Sequence, residues 1–161
     1  KGLFGPQSTG LILGRKDLIE ACHLNSNPHS AIGRGMKVGK EEICALLRAV
    51  ELFFEMDEAA VVAEWERRCC IIAEAVADVD GIEADFTRAY ENKFPPASPL
   101  VHLHFTHDAV KSATDTLEEL ETGEPSILAA GGGSSLTVGP QTLQEGEAEI
   151  IAERLRQILA G

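Results

Sequence analysis

The 161 residues carry 26 acidic against 14 basic side chains, a formal net charge of −12, and are 44% hydrophobic and 25% charged. Such a composition can bury a core, and an acidic chain with no basic stripe interleaved with aromatics disfavours nucleic acid as a partner, transfer RNA included. No apolar run approaches the ~20 residues of a membrane helix, and Cys22, Cys44, Cys69 and Cys70 lack the spacing of a disulfide framework or zinc site, so a cytoplasmic protein with reduced thiols is the expectation.

In chain order, Leu11, Ile12 and Leu13 lie between two glycines after a Gly/Pro-rich turn, which predicts a loop feeding a short buried strand over Gly10 to Leu13. Asp17 to Leu24 reads as a short helix, and the turn-forming residues from Asn25 to Ser30 as a loop. After Lys40, the residues Ile43, Leu46, Leu47, Val50, Phe53 and Phe54 recur at helical spacing. Met56 and Asp57 interrupt that pattern, and Asp57 is placed to cap a second helix striped by Val61, Trp65, Cys69, Ile72 and Val76.

From Gly81 the period changes to two. Ile82, Ala84 and Phe86 alternate with polar residues, and after a Pro-rich turn from Phe94 to Pro99 the alternation resumes over Leu100 to Phe105, predicting paired strands. Thr106 is the expected cap of a helix carrying Val110, Ala113, Leu117 and Leu120 and ending at Gly123. Ile127 to Ala130 and Leu136 to Val138 flank Gly131 to Gly133 as a hairpin, and Ile150, Ile151, Leu155, Ile158 and Leu159 stripe a closing helix. From residue 40 the order is ααββαββα, which implies an α/β fold of the α+β kind, a small and mostly antiparallel sheet covered by helices.

Two motifs carry a resemblance. Lys1 precedes Gly5-Pro6-Gln7, a small apolar stretch, and Gly14-Arg15-Lys16-Asp17-Leu18-Ile19. The second motif runs from Ile32 to Ile43, with Arg34 between Gly33 and Gly35. Together they resemble pyridoxal-phosphate enzymes of the aspartate-aminotransferase fold (fold type I), most closely the selenocysteine-synthase-like and glucosaminate-6-phosphate ammonia-lyase-like group. The resemblance implies that residues 1–38 end the large cofactor-binding domain and that 39–161 form the small carboxy-terminal domain. It also implies a Schiff-base lysine at Lys1, pyridoxal 5'-phosphate as cofactor and, for the full-length enzyme, a homodimer or higher homo-oligomer. In that family the phosphate-binding turn, the ring-stacking side chain and the acid facing the pyridine nitrogen precede the lysine, so a fragment beginning here is expected to be inactive by itself.

Elementary chemistry sets conditions on that reading. Schiff-base formation needs a neutral amine, so the lysine pKa must fall below about 10.4 through desolvation or a neighbouring positive charge. Gly2 and Gly5 would let the backbone approach a flat ring, Pro6 would stiffen the turn, and Gln7 would either hydrogen-bond cofactor phosphate or cap the turn. On residue type alone, Lys1 is an ordinary solvated lysine. Arg34 offers a bidentate fork for a substrate carboxylate or phosphate, and His29 a loop acid or base; a solvated arginine and a solvent-facing histidine are the plain alternatives.

Other clusters read more simply. His102, His104 and His107 have metal-like spacing, but alternation with Val101, Leu103 and Phe105 makes the first two the polar face of a half-buried strand, and no carboxylate or cysteine evidently completes a ligand set. The glycine triplet lacks the Gly-Lys-(Ser/Thr) ending of a phosphate loop. Glu118, Glu119 and Glu121 read as a solvated helix face. The expected function is the carboxy-terminal portion of a pyridoxal-phosphate-dependent lyase, of the ammonia-lyase or β-elimination type, acting on an amino acid or amino-sugar acid. Selenium transfer, transamination or aldol cleavage on the same cofactor is the alternative within that chemistry, and a non-catalytic α+β interaction module is the alternative outside it.

Overall fold

The computed structural model describes residues 2–88 and 98–160, and its first elements start without a side-chain cap. Lys16–Leu24 forms α1, Arg34–Met36 a single 3-10 turn, and Lys40–Glu55 forms α2. Glu41 and Glu42 in the first turn of α2 complement the positive end of its dipole. The chain divides into two compact units, Lys1–Met56 and Asp57–Gly161.

Met56 leaves the helical conformation (φ −74°, ψ 135°), and the Asp57 carboxylate accepts the Ala60 N–H at 3.1 Å, starting α3 over Glu58–Glu74. The cap expected at Asp57 is therefore present. Strands β1 (Ile82–Thr87) and β2 (Leu100–Phe105) follow, then α4 (Ala113–Thr122), β3 (Ala130–Gly132), β4 (Ser135–Val138) and α5 (Glu147–Ala160). The sheet is antiparallel throughout in the order β1-β2-β4-β3, so the α+β expectation holds.

Alternation decides the two faces of this sheet. Ile82, Val101, Leu103, Phe105, Leu136 and Val138 point into a core completed by Cys69 and Ile72 of α3, Val76 in the turn just after it, Leu120 of α4, and Ile151, Leu155, Ile158 and Leu159 of α5. The other face carries Glu83, Asp85, His102, His104, Ser135 and Thr137. Gly81 makes the turn into β1 at φ +81°, and a β-carbon there would stand 2.2 Å from the Ala109 nitrogen. Only glycine fits.

Three expectations are corrected. Gly10 to Leu13 is not a strand: it belongs to no regular element, and Leu11, Ile12 and Leu13 are 51%, 66% and 83% exposed. Three apolar residues cannot hold a strand without a neighbouring ladder, and no described residue pairs with them. Helix α4 starts after Ser112 rather than Thr106. The Ser112 hydroxyl accepts the Asp115 N–H at 3.1 Å, whereas Thr106 spends its own N–H on the Gly81 carbonyl in a turn that leaves Val110 exposed. Gly131 and Gly132 lie within β3, so the hairpin turns at Gly133-Ser134. A β-carbon on Gly131 would meet the Ser135 carbonyl oxygen at 2.5 Å, and that close approach is why glycine occupies the strand. Most of the Pro-rich turn from Phe94 to Pro99 lies outside the described residues.

Candidate active site

The segment joining α1 to α2 closes on itself. Asn25 ends α1 with its side-chain amide on the Ala21 carbonyl at 2.9 Å, and Ser26 returns its hydroxyl to the His23 carbonyl at 3.0 Å. The His29 N–H donates to the Ser26 carbonyl at 2.9 Å, and the Gly33 N–H reaches back to the Asn25 carbonyl at 2.7 Å. Gly33 is needed there, because a β-carbon would lie 2.6 Å from that same oxygen. The Arg34 N–H then donates to the Ala31 carbonyl at 3.0 Å, opening the 3-10 turn.

This closure holds Arg34 and His29 on one short loop. The Arg34 side chain is exposed and has no ion-pair partner among the described residues, so its fork of donors is free for an anion. His29 is exposed, with its ring edge-on to His23 at 5.2 Å between centroids. Gly33 serves the loop's own hydrogen bond, whereas Gly35 faces open space.

The turn near the start of the chain is a second piece of the same unit. The Thr9 hydroxyl and N–H both donate to the Pro6 carbonyl, at 2.6 and 3.3 Å, clamping residues 6–9 with Gln7 exposed. Gly5 packs on α2: a β-carbon there would be 3.2 Å from Leu46 Cδ1 and 3.4 Å from Ala49 Cβ, so its smallness serves helix packing. Phe4 adopts φ +53°, a left-handed conformation that costs a non-glycine residue roughly 1–3 kcal/mol. Lys1 lies outside the described residues.

The second unit carries polar groups that the sequence did not bring together. Antiparallel register sets Glu83 opposite His104 and Asp85 opposite His102, and His102 Nε2 lies 2.9 Å from Thr87 Oγ1. Spacing within one strand cannot reveal a partner on the next, so these carboxylates were not legible beforehand. No group of three His, Cys, Asp or Glu side chains arranged to hold a metal occurs among the described residues. Burial pushes the Cys69 thiol up to about 12, which keeps it protonated and unreactive at neutral pH, while Cys22 and Cys44 are exposed. No described helix is long and apolar enough to cross a membrane.

Comparison with known proteins relates the chain to enzymes. It is 30% identical over 166 aligned positions to a 5'-C-glycyluridine monooxygenase-decarboxylase from Streptomyces sp, covering 98% of this chain and 39% of that protein. It is 28% identical over 159 positions to the D-glucosaminate-6-phosphate ammonia lyase of Salmonella typhimurium (strain 14028s / SGSC 2262), covering 96% of this chain and 40% of that protein. The chain thus spans about two fifths of the length of these relatives. No protein-family model matches it.

Proposed function

We propose that this chain is the carboxy-terminal part of a cytoplasmic, homodimeric pyridoxal-phosphate-dependent lyase that eliminates ammonia from an amino acid or amino-sugar acid. Residues 1–38 would end the cofactor-binding domain and residues 39–161 would form the small domain. The observation that carries this reading is similarity to an ammonia lyase along nearly the whole chain, joined to the Lys1, Gly5-Pro6-Gln7 and Gly33-Arg34-Gly35 motifs. A second reading, another reaction on the same cofactor, is favoured by the decarboxylase among the relatives.

The residues present suit such a cofactor in their donor chemistry. Gly2 leaves open space where a side chain would stand, Gln7 presents an exposed amide, and Arg34 presents an exposed guanidinium. Lys1 Nζ would hold the cofactor and Gln7 would donate to its phosphate, with Gly5 anchoring the adjoining Gln7 turn on α2. When bound, pyridoxal phosphate supplies an electron-withdrawing ring that stores the charge left by bond breaking at the substrate α-carbon. Lys1 Nζ, once released, would hold and move the α-proton, which requires its neutral amine. The Arg34 guanidinium would fix the substrate's acidic group bidentately, and His29 would supply a further polar contact beside it.

In the whole enzyme, Lys1→Ala should abolish the cofactor's visible absorbance and the borohydride-trapped adduct at that position. Arg34→Lys should raise the substrate KM by about tenfold or more, because a point charge replaces a fork. Retention of both the adduct and turnover in Lys1→Ala would overturn the proposal.

A further inference from the structure

The four-stranded sheet ends at β3, and that edge differs from the one at β1. Strand β1 carries Glu83 and Asp85, the kind of charge that discourages strand addition. Strand β3 reads Ala130-Gly131-Gly132, is exposed at all three residues, and has no backbone partner on its outer side among the described residues. It has no charge, proline or bulge. Two successive glycines also remove the side chains that would hold a second backbone away.

Beside the entry to β3 runs an open groove of ≈ 640 Å³, its apolar walls including Leu100, Ile127, Leu128, Val138, Leu143 and Ile150. Leu128 is 85% exposed on its rim. Among its described lining residues, only Glu147 is charged. Residues 57–161 hold twenty Asp and Glu against seven Lys and Arg, so the unit that bears the groove has a formal charge of −13.

We propose that the β3 edge and this groove together dock an extended peptide segment of a partner protein, apolar at alternate positions and flanked by lysine or arginine. The segment adds to the sheet as a fifth strand: main-chain hydrogen bonds to β3 give affinity, and every second side chain enters the groove. Charge selects the occupant. The negative excess attracts a basic segment and repels a second copy of this unit, which argues against β3 pairing with itself.

The test titrates the isotope-labelled chain with a capped heptapeptide, Lys-Val-Thr-Val-Thr-Val-Lys, followed by nuclear magnetic resonance and amide exchange. Saturable shifts confined to Ala130–Gly132 and the groove, with slowed exchange in β3, are expected. Replacing both peptide lysines by glutamate should weaken binding about tenfold at low salt, and a central proline should abolish it. Leu128→Lys, at an exposed position that leaves the fold intact by circular dichroism, should weaken the original peptide about tenfold. Absence of saturable shifts at millimolar peptide, equal binding of the proline peptide, or a concentration-dependent dimer through β3 would each overturn the proposal.

Discussion

The two units of this chain use similar amphipathic patterns to different ends. Helix α5 buries Ala148, Ile151, Ala152, Leu155, Ile158 and Leu159, whereas the equally striped α2 buries only Ala49. Among the described residues, thirteen of the sixteen exposed large apolar side chains lie in residues 1–56, among them Ile43, Leu47 and Phe54 along α2. Charge divides the same way, at a formal +1 for residues 1–56 against −13 for the remainder. An amphipathic stripe shows that a helix has a face to bury; it does not show what covers that face. The second unit supplies its own cover from a sheet, and among the described residues the first does not.

The largest effect that tests this contrast is a pair of leucine truncations. Leu155 is fully buried in α5, so Leu155→Ala should cost about 2–5 kcal/mol through lost transfer energy and a cavity. Leu47, at 61% exposure in α2, should change stability by less than about 0.5 kcal/mol on the same substitution. Urea unfolding of both variants checks the pair. A comparable loss at Leu47 would mean that its face is covered in solution.

Next in size is a backbone test. Gly81→Ala forces a side chain into a left-handed position and against Ala109, and should cost roughly 2 kcal/mol or more, with β1 and the 106–109 turn displaced. Gly10→Ala, where nothing stands within 4 Å of an added β-carbon, should lie within about 0.5 kcal/mol of the parent. Thermal melts of the two variants separate a glycine required by its neighbours from one that is not.

Cap deletions come third. Asp57→Ala and Ser112→Ala each remove a side-chain acceptor from a helix start and should cost about 1 kcal/mol. Thr106→Ala, at the position that fails to cap α4, should cost less than Ser112→Ala in the same urea titration. The reverse order would put the start of α4 back at Thr106.

What the sequence made legible follows these energies. Every element with a long 3.6 or 2.0 period formed, from α2 through α5, because burial of one face dominates over several turns or residues. The errors lie where the decision is local or distant. Thr106 and Ser112 are both competent caps, and only the contact of Gly81 with the turn at Ala109 chooses between them. Leu11 to Leu13 has the composition of a strand but no partner ladder among the described residues. Of the candidate site, the loop that holds His29 and Arg34 follows from turn-forming residues, whereas the pairing of Asp85 with His102 needed the register of a neighbouring strand.

The smallest effect concerns acid. Glu64 accepts hydrogen bonds from Arg67 and Arg68, which hold its carboxyl down at about 2. Arg68 also donates to the Pro140 and Leu143 carbonyls, so this pair ties α3 to the segment before α5. A carboxylate lowered on folding stabilises the folded state above its unfolded pKa of about 4.3, and that stabilisation is lost as pH falls through the folded value near 2. Glu64→Gln should therefore lower the urea midpoint slightly at pH 6, with the gap to the parent closing as the pH falls towards 2. High salt should narrow it too, chiefly through the half-exposed Arg67, while Arg68, 14% exposed, is screened less. Asp17 is also held low, by Arg15, but that pair spans two exposed residues of the first unit and ties nothing else. Asp17→Asn should leave the unfolding midpoint unchanged at every pH. An equal, pH-dependent loss at Asp17 would show that the first unit unfolds together with the second, and the contrast between an internally covered unit and an open one would fail at the level of cooperativity.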